Sequence, residues 1–219
     1  MNLNKYEKFF KLDLLEGAKF TGKFEFPVIE RVNYIPNKLI PFDKALQETD
    51  FNKWVHFFID DWKFSKLFNQ PYRYLPILKK FNGVIAPDNS LFWNMPYYKQ
   101  IESIGNSRMM GSWLQRAGIN VIPTVRWGLK ESYSFVFDGV RPGGTVAISS
   151  LGAIKNRESR KVFADGIPEL VERVSPRTII VYGSYDPSMY DVAFEQGVNV
   201  INFQAYTTML KSRYSDGAA

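Results

Sequence analysis

From Val55 onward the chain repeats one unit, a short run of β-branched or aromatic residues followed by a stretch long enough for a helix. The runs are VHFFID, GVIAPD, NVIPTVRW, TVAISS, TIIVYG and NVINF. They carry little polar alternation, as expected of strands buried on both faces, and parallel strands need crossover connections of helical length. An antiparallel sandwich fits this rhythm badly. An earlier run, FPVIERV at 26–32, followed by the helix-forming FDKALQE, supplies one more such unit. About seven parallel strands follow, which predicts an α/β fold close to a closed or slightly incomplete (βα) barrel. An open doubly wound sheet is the alternative. Residues 1–25 read as a helical lead-in, 26–214 as a single α/β domain, and 215–219 as a flexible tail.

Two crossover helices are legible in detail. From Met95 to Ala117, one stripe holds Tyr97, Ile101 and Ile104, and an adjoining one holds Met110, Trp113, Leu114 and Ala117; Gly118 then ends the helix. Val162, Ile167, Leu170, Val171 and Val174 give a second helical face that stops before Pro176.

Composition removes most familiar chemistry. With no cysteine and one histidine, His56, the chain can hold no disulfide, thiol nucleophile, iron–sulfur cluster or multi-histidine metal centre. Neither a signal peptide nor an apolar run of ~18 residues is present, so a cytoplasmic protein with no membrane partner is expected. The net charge of +6 permits a polyanionic partner without requiring one. The spacing Gly17 to Lys23 imitates a phosphate loop, but Phe24 stands where a hydroxyl must hold magnesium and no strand precedes it, so the match is accidental.

Polar residues close successive strands: Asp60 and Asp61, Asp88, Arg126 to Gly128, Ser149 and Ser150, then Tyr182 and Gly183. In a parallel fold these positions share the carboxyl-terminal rim, where ligands bind. Asp60 and Asp88 are the candidate catalytic pair, able to hold Mg²⁺ or Mn²⁺ or to work as acid and base, although strand-end aspartates also cap helices, as Asp61 could for WKFSKLF and Asp88 for NSLFW. Asp61, Arg108, Trp127 and Ser149 are the candidate ligand contacts. Arg108 falls on a stripe that should be buried, so it either meets an anion or lays its stem along an apolar face. Aromatics interleave with Lys63, Lys66, Lys79 and Lys80, a composition that suits nucleic acid but suits an amphipathic helix burying Phe64, Leu67 and Phe68 better. His56, Trp93 and Trp127 read first as packing residues.

Several of these motifs recur in order: VHFFIDD, APDNSLF, NSRMMGSWLQRAGINVIPTVRWG, FDG, VAISSLG and TIIVYG. Across about 55–183 the chain resembles a domain-of-unknown-function family encoded largely by bacteriophages, plasmids and other mobile elements. It departs from that pattern at Asn89, where an aromatic is expected. The resemblance implies a mobile-element origin, an intracellular role in a bacterial host, and a shared pattern that includes the acidic strand ends, Arg108 and Trp127. It brings no assigned reaction. The residues themselves suggest a rim that binds a nucleotide or nucleic acid, with metal-assisted hydrolysis as its chemistry. The alternatives are a non-enzymatic factor that binds nucleic acid or a host protein, and a metal-free glycoside hydrolase using Asp60 and Asp88.

Overall fold

The computed structural model describes residues 5–208. Four strands, β3 (Leu39–Pro41), β4 (Trp54–His56), β5 (Gly83–Ile85) and β6 (Val121–Ile122), pair in parallel in that order. Three more, β7 (Thr145–Ser149), β8 (Thr178–Tyr182) and β9 (Asn199–Phe203), do the same. A bridge between Thr124 and Ala147 joins the two sheets, with the Val125 N–H donating to the Ala147 carbonyl at 2.8 Å. Strand order therefore follows chain order, without the reversal that marks a doubly wound sheet. Among the described residues nothing pairs β9 with β3, so the seven-stranded barrel is incomplete.

Side-chain alternation builds its layers. Leu39, Trp54, Phe58, Ile85, Ile122, Ala147, Ile180, Tyr182 and Phe203 fill the interior. Their neighbours Val55, Phe57, Val84, Ala86 and Val121 face one outer layer, and Val146, Ile148, Ile179 and Val181 face another. Gly83 has no room for a side chain, since a Cβ there would lie 2.4 Å from the Trp54 indole that occupies the lumen.

The crossovers are α2 (Phe42–Ala45), α3 (Asp61–Asn69) with α4 (Pro71–Leu78), α5 (Tyr97–Arg116), α6 (Arg157–Val174) and α7 (Asp191–Glu195). The two helices read in detail from the sequence are present, and Gly118 stands just beyond α5 with φ +90°. The early βα unit is also present, but its strand is β3, not 26–32. Phe26–Pro27 instead forms β2, which pairs antiparallel with β1 (Phe20–Thr21), and the Ile29 N–H donates to the Gly139 carbonyl. The three apolar residues of β3, cut short by Pro41, gave too little pattern to recognise. The false phosphate loop is the turn of that hairpin. Its glycine Gly22 has φ +75° and would place a Cβ 2.0 Å from Asp138 Oδ2.

The lead-in contains α1 (Lys5–Phe9) and a 3₁₀ turn at Leu12–Leu15, while the expected tail at 215–219 lies outside the described residues. Among the described residues no helix is long and apolar enough to cross a membrane.

Candidate functional site

The loop after β5 carries the most engaged rim carboxylate. Asp88 is buried, and Arg126, arriving from the end of β6, meets it side-on: Nε donates to Oδ1 at 2.9 Å and Nη2 to Oδ2 at 2.6 Å. Burial pushes the Asp88 carboxyl up, Arg126 opposes this, and the Asp61 charge adds to the rise. No helix follows Asp88, so it caps nothing. Its loop is instead stitched to its neighbours, because Ser107 Oγ donates to the Pro87 carbonyl, Thr124 Oγ1 to that of Ala86, and Ser103 Oγ to that of Ser90.

Asp60 and Asp61 are adjacent in sequence but do different things. The Asp61 carboxylate accepts the Ser90 hydroxyl at 2.8 Å and the Ser90 N–H at 3.0 Å, tying the start of α3 to the β5 loop. Asp60 is exposed and pairs with Lys63 at 2.8 Å; its side chain makes no cap to α3. The expected pair is therefore split, with Asp60 on a surface lysine and Asp88 locked to Arg126. Among the described residues no three His, Cys, Asp or Glu side chains converge to hold a metal ion.

Arg108 is wholly buried and faces away from ligand chemistry. Nε, Nη1 and Nη2 each donate at 2.8 Å, to the carbonyls of Asp138, Thr124 and Val136. Burial draws its pKa down to about 10, so it stays charged at neutral pH. It ties α5 to the segments that flank β6 and precede β7. The anion contact expected of it is closed by this geometry.

Between the β5, β6 and β7 loops and the start of α6 lies a pocket of about 90 Å³. Leu91, Phe92, Trp93, Trp127 and Phe163 supply its apolar walls, and Arg126, Ser149, Gly152 and Ser159 its polar ones. Trp127 is a wall more than a platform: it is buried, stacks on Phe163 with ring centres 5.5 Å apart, and donates Nε1–H to the Val162 carbonyl at 3.1 Å. Gly166 makes room for it, since a Cβ there would fall 2.1 Å from Nε1. Trp93 and Phe92 are partly exposed and offer free ring surface. Ser149 Oγ accepts the Leu151 N–H at 3.2 Å, shaping the turn that borders the pocket. Asn156 caps α6 by accepting the Ser159 N–H at 2.8 Å. Around that positive helix end stand Lys155, Arg157, Arg160 and Lys161.

Asp61, Ser149 and Trp127 are expected at this rim from the sequence, which points to Arg108 for the anion and marks Arg126 only as a strand-end residue. The available signal was the run NVIPTVRW, whose apolar residues continue past the strand and deliver Arg126 to the mouth.

His56 points into the barrel, fully buried. Its Nδ1 accepts the Phe58 N–H at 3.2 Å, its ring lies 4.4 Å from that of Tyr182, and Nε2 finds no partner. The expectation of a satisfied core histidine is thus half met. Burial depresses its pKa to about 3, keeping it neutral.

The rival basic surface on α3 and α4 is largely engaged within the fold. Lys63 pairs with Asp60 and lies over Trp62, while Lys66 covers Phe42 and Lys80 covers Phe51. Phe64 and Leu67 turn into the core, as an amphipathic helix requires.

No solved structure matches the chain. Two curated relatives do: the "Gene 1 protein" of Mycobacterium phage L5 is 32% identical over 179 residues, covering 80% of this chain and 78% of that protein. The "Gene 1 protein" of Mycobacterium phage D29 is 31% identical over 179 residues, again 80% of this chain but 66% of the relative. A family model described as a domain of unknown function matches residues 18–204, which span all seven barrel strands and the hairpin. The chain therefore belongs to that family, DUF4417, and is of phage type.

Proposed function

We propose that this protein binds a phosphate-bearing ligand, a nucleotide or the end of a nucleic acid strand, at the carboxyl-terminal mouth of its incomplete barrel. One observation carries the reading. A ring-lined pocket and the positive amino end of an 18-residue helix border the same small space, so a base could stack beside Trp93 while phosphate meets Ser159 and the flanking cations. Lys155 and Arg157, both exposed, have no ion-pair partner among the described residues, whereas Arg160 pairs with Asp186 and Lys161 with Asp165. Hydrolysis and a metal form no part of the proposal, because Asp60 and Asp88 are engaged separately.

Thermal melting of the parent and of Trp93→Ala, with nucleotides and short DNA or RNA in the presence of a chelator, tests this. A ligand that binds the folded state raises the melting temperature, by the equivalent of about 2.7 kcal/mol at a hundredfold excess over Kd. Stabilisation of the parent and its loss in Trp93→Ala are expected. No shift with any of these ligands would end the proposal, and a shift unchanged in the variant would move the site elsewhere.

A further inference from the structure

We infer that Arg126 is the residue that reads a terminal phosphate in this pocket, and that Asp88 is its positioning residue. The inference rests on the binding proposed above and specifies its chemistry. Nε and Nη2 both donate to Asp88, which fixes the guanidinium plane, and Asp88 is itself buried. That side-on arrangement spends one edge of the guanidinium. The end of the guanidinium, where one Nη1 hydrogen lies beside the outer Nη2 hydrogen, has no partner among the described residues, and Arg126 lines the pocket. This free end is again a fork of two donors, and it matches two oxygens of a phosphate.

The pair also explains why a charge at the mouth need not weaken the fold. Asp88 neutralises Arg126 when the pocket is empty, so a partly buried cation is not left alone. What remains is directional: two N–H donors on a residue that lines the pocket, instead of a bare field. A nucleoside, which offers no phosphate to the fork, should bind through the aromatic wall alone.

Calorimetric titration of the full chain with AMP, GMP, CMP and UMP, and with the four matching nucleosides, decides the matter. At least one monophosphate should bind tenfold or more tighter than its nucleoside. Arg126→Gln alone would strand a buried carboxylate, so the key variant is Arg126→Gln with Asp88→Asn, a neutral pair able to keep a mutual hydrogen bond. In a folded double variant the preference for the monophosphate should fall at least threefold, the remainder coming from Ser159 and the cations at the amino end of α6. Arg126→Lys, which keeps charge and loses the fork, should retain only part of it. A preference undiminished in the double variant would overturn the inference while leaving the binding proposal intact. A parent that binds neither nucleosides nor monophosphates would overturn both.

Discussion

Arg108 and Arg126 are both drawn into the protein, yet they are satisfied in opposite ways. Arg108, on α5, gives its donors to three backbone carbonyls and is sealed, so its charge serves as a rivet between segments. Arg126, at the mouth, spends one edge on a carboxylate, lines the pocket and has no other partner among the described residues. Backbone carbonyls cannot move without moving the fold, whereas a side-chain partner holds an arginine in place and leaves part of it available. The wall around Arg108 therefore belongs to stability, and the proposed binding would fall to the mouth around Arg126.

The sharpest way to break this contrast is Arg108→Met. It strands three buried carbonyls, each costing about 1–3 kcal/mol, so a loss of about 4 kcal/mol or more is expected in denaturant unfolding. A loss below about 1 kcal/mol would deny the rivet. Gly166→Ala attacks the mouth through its wall, because the new methyl group collides with the Trp127 indole. Overpacking of this kind costs about 1–3 kcal/mol, and weaker ligand binding should accompany it.

His56 sharpens the same division through pH. Its folded pKa of about 3 lies below its ordinary value, so between about 6.5 and 3 the unfolded chain takes up a proton that the folded chain refuses. Stability is intact above pH 6.5 and falls by about 1.4 kcal/mol per pH unit below it. At pH 5 the loss should be about 2 kcal/mol, and His56→Phe should flatten that slope in unfolding curves taken across the range. A variant with the parent's slope would place the acid sensitivity elsewhere. Smallest of all is Asp60→Asn: an exposed pair with Lys63 should contribute less than about 1 kcal/mol, with ligand affinity untouched.

Much of the fold could be read from the chain because buried parallel strands announce themselves as unbroken apolar runs. Six of the seven barrel strands were visible this way, and the seventh was misplaced because β3 has only three residues while FPVIERV carries a stronger apolar pattern. The rim was legible as a place, since strand ends must share it. Its internal pairing was not. Nothing in local sequence says that Asp88 meets a residue on the next strand's end while Asp60 turns to its own helix, because that choice is made by loops whose paths depend on tertiary contacts such as Asp61 to Ser90. Arg108 was legible as an anomaly on a buried stripe, but its carbonyl partners lie in segments with no distinctive pattern of their own.

The five tryptophans offer the most direct test of the proposed binding site, because Trp93 and Trp127 line the mouth, Trp54 fills the lumen, Trp113 sits in the outer core, and Trp62 lies on the rival basic surface of α3. Titrating ¹⁵N-labelled protein with a nucleoside monophosphate and following the indole N–H signals separates these positions in one experiment. The account predicts saturable shifts for Trp93 and Trp127 with Trp62 unmoved. Shifts confined to Trp62, or none at all, would contradict it.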